Sequence, residues 1–106
     1  MRRADGSAPA TFVATIHRVI EIEVVASGLR HGVTTASIEH ACHHPLKIST
    51  AFETDSEKVL VLGPDLAGNI IEVIGVFENE NCYVVFHAMR ARPKYLALLD
   101  QPKEYE

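Results

Sequence analysis

The residue types that could do chemistry are concentrated between Tyr83 and Tyr95, where an apolar run delivers His87 and then Arg90, Arg92, Lys94 and Tyr95 in quick succession. Metal-free cleavage of RNA calls for such a set: a base to take the 2′-hydroxyl proton, cations to stabilise a phosphorane-like transition state, and an acid to protonate the leaving oxygen. Positioned proton transfer contributes about 10²- to 10⁴-fold, and an aimed Arg or Lys stabilises charge developing on phosphate. His87 is the candidate acid or base; Arg90, Arg92 and Lys94 are the candidate phosphate stabilisers. A plainer arrangement fits the same residues: solvated cations after a strand, with the histidine in a cross-strand polar pair.

Two further constellations stand outside this stretch. In Leu29-Arg30-His31-Gly32-Val33 a cation and a histidine lie at an expected helix C-terminus, where the dipole alone favours positive charge; they can join a site only if that helix end reaches the terminal strand. His40 and His44, four apart, would share a helix face as some zinc sites begin. No third or fourth ligand has a partner spacing, so the expectation is a polar helix end, with no metal or other cofactor. A Gly-rich phosphate loop, GxSxG, HExxH and CxxC are all missing, which leaves nucleotide hydrolysis and zinc proteolysis without support.

The element that must position His87 is a hairpin. Ile70 to Phe77 and Cys82 to Met89 read as strands around the polar Glu78-Asn79-Glu80-Asn81. A loop of two residues (Asn79, Glu80) or four (Glu78 to Asn81) sets Glu72 opposite His87, a carboxylate that would favour the protonated ring. Ile70 would then face Met89, Ile74 Val85, and Val76 Tyr83 on the same side, with Val73, Phe77, Val84, Phe86 and Ala88 on the other. A three-residue loop would break this pairing.

The rest of the chain supplies supporting elements. Residues 1–10 form a small polar tail, and Thr11 to Glu23 read as a first strand. Glu23 to His31 read as a short helix with Gly32 at its C′ position. A second helix is capped by Thr34 or Thr35, turns Ile38, Ala41 and Cys42 to one face, and is ended by Pro45. Leu46 to Ala51 is an edge strand, Phe52 to Lys58 a polar connection and Val59 to Leu62 a strand. Gly63-Pro64-Asp65 stops that strand, and a Gly68-Asn69 turn follows. After Pro93, Lys94 to Leu99 form a short terminal helix, and residues 101–106 fray. The expected fold is a single α+β domain over residues 11–100, a small antiparallel sheet with two N-terminal helices and a short C-terminal helix.

Bulk properties narrow the function classes. The chain has 106 residues, 47% hydrophobic and 23% charged, as an ordinary globular domain has. A net charge of −4 argues against holding nucleic acid through a broad basic surface, so any such contact must be local. Two cysteines are too few for a disulfide framework and read as buried thiols in a reducing compartment. No apolar run suits a membrane span or signal peptide; the expectation is a cytoplasmic protein.

The order of three local motifs resembles the BrnT-like ribonuclease toxins of the RelE superfamily, from bacterial toxin–antitoxin systems. The matching pieces are Arg30-His31-Gly32-Val33 with Ala36 to Cys42 and His44-Pro45; Leu62-Gly63-Pro64-Asp65 with Gly68 to Val73; and Val85 to Tyr95. The resemblance implies an α+β domain with an antiparallel sheet, RNA cleavage that inhibits translation, and an antitoxin covering the active face. It carries over to His31, Arg90 and Arg92. Family members are strongly basic with an Arg- and Lys-rich C-terminal helix, whereas this chain is acidic with an apolar one. Combined with the residue reading, the expected function is a metal-independent endoribonuclease. His87 and His31 share the acid and base roles with Arg90 and Arg92; Lys94, Tyr95 and Arg30 contact RNA, including mRNA on the ribosome; Glu72 supports His87. The competing reading is a non-catalytic protein-interaction or homodimerisation module on the same fold.

Overall fold

The structure, a computed structural model, describes residues 20–50 and 57–100. The tail at 1–10, most of the expected first strand (11–19), residues 51–56 of the polar connection and the end at 101–106 lie outside the described residues. Among the described residues five strands form one sheet: β1 (Glu21–Val24), β2 (Lys47–Thr50), β3 (Val59–Pro64), β4 (Ile70–Asn79) and β5 (Cys82–Arg90), in spatial order β1-β5-β4-β3-β2. Helix α1 (Thr35–His43) precedes β2, and the short α2 (Pro93–Leu96) follows β5 and runs into a 3₁₀ turn, Ala97–Asp100.

The α+β class is as expected, but two details are corrected. The sheet is mixed, because β1 lies parallel to β5 while the other neighbours are antiparallel. A parallel neighbour needs a long crossover, and here α1 and three strands intervene. The first of the two expected N-terminal helices is replaced by a 3₁₀ turn, Ala26–Leu29. Its expected first turn is used by the sheet: Val24 pairs with Val85, and the Val25 amide donates to the Val85 carbonyl at 3.0 Å. β-branched Val24-Val25 suits that extended path. Gly28 then closes on β5, where a Cβ would sit 3.0 Å from the Val85 carbonyl oxygen.

Both faces of the sheet are covered, which explains why β3 is a continuous apolar run instead of an alternating one. Ile38 and Ala41 of α1 pack on Val61, Ile71, Val73 and Val85 on one face. Leu60, Leu62 and Ile74 pack with Ala91 and Tyr95 on the other. Thr34 caps α1, its Oγ1 accepting from the Ser37 amide at 3.1 Å. Gly63 lets the helix settle on β3, since a Cβ there would collide with the Ala41 carbonyl.

The hairpin register differs from the expected one. Its loop has two residues, Glu80 and Asn81, and Asn79 pairs with Cys82. Glu72 pairs with Met89 and Ile74 with His87; after a bulge, Gly75 pairs with Val85 and Phe77 with Tyr83. The bulge leaves Phe86 as an extra residue on β5, so alternation is broken there. Ile74 and Val85 therefore fall on opposite faces, as do Val76 and Tyr83. Tyr83 and Val85 join the α1 face, and His87 stays with Glu72 on the other. Gly75 permits the bulge, because the Val84 carbonyl occupies the place a Cβ would take. Gly75→Ala is expected to cost about 1–3 kcal/mol, as overpacking does, measured as a lower urea midpoint with an unchanged m-value.

Candidate active site

Glu72 is the buried charged side chain among the described residues, with none of its surface exposed. A carboxylate there needs several donors to remain ionised, and the start of α2 supplies most of them. The Arg92 amide donates to Oε1 at 2.9 Å, its Nε reaches both oxygens at 3.1 and 3.2 Å, and its Nη2 donates to Oε2 at 2.6 Å. His87 Nε2 donates to Oε2 at 2.8 Å. Burial pushes the Glu72 carboxyl up, but the Arg92 and His87 hydrogen bonds outweigh it and hold the group below the usual range.

Local structure makes this possible. Arg92 is the N-cap of α2 with extended backbone, Pro93 occupies the first turn, and the Arg92 carbonyl accepts from the Tyr95 and Leu96 amides. Glu72 and His87 are diagonal neighbours across β4 and β5, a spacing a long side chain can bridge. The side chain of His87 is 23% exposed and that of Arg92 40%, so both connect the buried carboxylate to the surface. Because His87 Nε2 donates to Glu72, the neutral ring carries its lone pair on Nδ1. No partner for Nδ1 is found among the described residues.

Around this centre lies a cleft of about 380 Å³, lined by Arg30, Lys58, His87, Arg92, Lys94 and Tyr95. Lys94 Nζ sits 4.9 Å and Arg92 Cζ 5.3 Å from the centre of the Tyr95 ring. Four cations thus converge on one opening of an acidic protein. His31 meets His87 edge to face, ring centroids 5.5 Å apart at 71°; Gly32, at φ 86°, turns the chain just after it.

The structure therefore brings together His87, His31, Arg92, Lys94, Tyr95, Arg30 and Glu72. It does not bring Arg90 to them: Arg90 pairs with Ile71 on the α1 face, exposed, where its charge acts on Asp65. Three cleft residues had no sequence signal. Lys58 lay in a polar connection, Ser27 in an expected helix, and Phe86 on the opposite strand face by alternation. Ser27 Oγ donates to the Phe86 carbonyl at 2.9 Å, fastening the 3₁₀ turn to the bulge.

His40 and His44 do not approach this cleft. Each Nδ1 donates to a main-chain carbonyl at 2.9 Å, His40 to Pro64 and His44 to His40, and the rings stack at 4.4 Å. Among the described residues, the group of three metal-capable side chains is instead Glu23, Glu78 and Cys82, near the hairpin loop. Neither cysteine is in a disulfide. Burial, with Glu39 adding to it, pushes the Cys42 thiol up to about 12, unlike an activated nucleophile. An apolar groove of about 430 Å³ opens on the α1 side, lined by residues including Ile20, Ile22, Ile48 and Phe77. No helix among the described residues is long and apolar enough to cross a membrane.

No protein-family model matches the chain, and no curated protein matches it. Among solved structures, that of the Brucella abortus ribonuclease toxin BrnT is similar, with 19% identity and a TM-score of 0.49 over 69% of this chain and 97% of that chain.

Proposed function

We propose that the protein is a metal-independent endoribonuclease of the toxin–antitoxin type, acting in the cytoplasm and inhibiting translation by cutting RNA. The observation that carries this reading is the convergence of His87, anchored on a buried and ionised Glu72, with His31 and the cations of one cleft. Nδ1 of neutral His87 takes the 2′-hydroxyl proton, and the Glu72 carboxylate stabilises the imidazolium that forms. Arg92, Lys94 and Arg30 hold the phosphate and its developing charge. The O2′–P bond forms as the P–O5′ bond breaks, and protonated His31 gives its proton to the leaving oxygen. The products are a 2′,3′-cyclic phosphate and a 5′-hydroxyl. An antitoxin protein that covers this cleft would silence it.

The apolar groove on the α1 side favours a second reading, a non-catalytic module that binds a protein partner or a second copy. Incubation of purified protein with labelled single-stranded RNA in EDTA separates the two. The ribonuclease yields fragments with cyclic phosphate ends, and its expression arrests growth. Intact RNA together with normal growth would reject it in favour of the interaction module.

A further inference from the structure

The β5 bulge turns two consecutive side chains, Phe86 and His87, into the same cleft, which unbroken strand alternation forbids. Phe86 is half-buried and packs against the apolar cluster that includes Ile74, Ala91 and Tyr95. Lys58 Nζ stands over its ring, 5.9 Å from the centroid, and both residues line the cleft. The Ser27 hydroxyl donates to the Phe86 carbonyl and fastens the backbone of the bulge next to the histidine. An aromatic face flanked by cations is how proteins hold an unpaired base beside its phosphate, with stacking on the π-face and charge on the backbone.

We infer that Phe86 is a stacking platform for a single unpaired nucleobase, with Lys58 binding the adjoining phosphate, so that the cleft takes single-stranded nucleic acid and not a duplex. A cleft of about 380 Å³ fits one splayed nucleotide, and a base still paired in a helix cannot lay its face on Phe86. The inference deepens the ribonuclease reading by naming the substrate's conformation, and it rests on the same cleft. Phe86 and Lys58 act here on binding, not on proton transfer.

The test is binding of a short 2′-O-methyl oligonucleotide, which cannot be cleaved, followed by fluorescence anisotropy. A matched strand with one abasic site and the corresponding duplex serve as competitors, and cleavage of the all-ribose strand is read in parallel. Phe86→Leu, which keeps an apolar side chain at the bulge, is expected to weaken binding about tenfold, and Phe86→Tyr to restore it. Lys58→Met should weaken binding and flatten its salt dependence. The abasic strand and the duplex should compete poorly. Binding by Phe86→Leu equal to the parent, or equal competition by the duplex, would overturn the platform even if cleavage is observed. Phe86-dependent binding without cleavage of the ribose strand would keep the platform and reject the ribonuclease.

Discussion

Replacement of His87 by alanine is expected to lower the rate constant for RNA cleavage about 10²- to 10⁴-fold, the range for loss of a positioned proton-transfer group. Affinity for a non-cleavable strand should change little, since Arg30, Lys58, Arg92 and Lys94 remain around the cleft. The split distinguishes catalysis from binding: kcat falls while KM holds. Folding should survive, because the side chain is 23% exposed and Glu72 keeps its Arg92 donors. His31→Ala should also reduce kcat. Wild-type kcat in His87→Ala would eliminate the assignment of His87 as base. Arg90→Ala is the control, since Arg90 lies on the α1 face and its loss should leave kcat unchanged.

The second large effect concerns stability. Glu72→Ala should destabilise the fold by roughly 2–4 kcal/mol, at or below the usual cost of breaking a buried ion pair, because the 40%-exposed Arg92 side chain can turn to water. The Arg92 amide and His87 Nε2 would lose their acceptor. Glu72→Gln keeps the volume and one carbonyl acceptor and should cost less, about 1–3 kcal/mol. The pH dependence has a definite sign. The folded-state carboxyl is held below its ordinary value of 4.5. Between those two values the unfolded chain binds more protons than the folded one, so stability rises with pH. The contribution is complete above about pH 4.5 and is lost as the pH falls through the lowered folded-state value. Urea midpoints measured from neutral pH to below 4 should fall more steeply in the parent than in Glu72→Gln. Parallel curves would contradict the account of Glu72 as an ionised anchor.

Several features are determined by local sequence. Thr34 and Pro45 bracket α1 through a side-chain cap and a missing donor. Gly68, at φ 90°, marks the turn that Asp65 closes by accepting from the Ala67 and Asn69 amides. The meeting of Glu72 and His87 was also legible, although the pairing expected for it was not the one found. A carboxylate and an imidazole two residues out of direct opposition still share a face and can touch diagonally, so this contact tolerates the error in register.

Tertiary structure decided what depends on pairing partners. A period of two assigns faces only while register is unbroken. The bulge brings Gly75 close against the Val84 carbonyl, a contact between strands that neither strand encodes alone. That one residue put Tyr83 and Val85 on the α1 face and turned Phe86 into the cleft beside His87. Arg90 followed the pairing of Ile71 to the far side, while Arg92, beyond the strand's end, was free to cap α2 and fold onto Glu72. The parallel seating of β1 set the 3₁₀ turn against β5 and brought His31 within reach of His87. Residue types thus determined which chemistry was available, and non-local backbone pairing determined which of those residues meet, because faces and registers are properties of strand pairs.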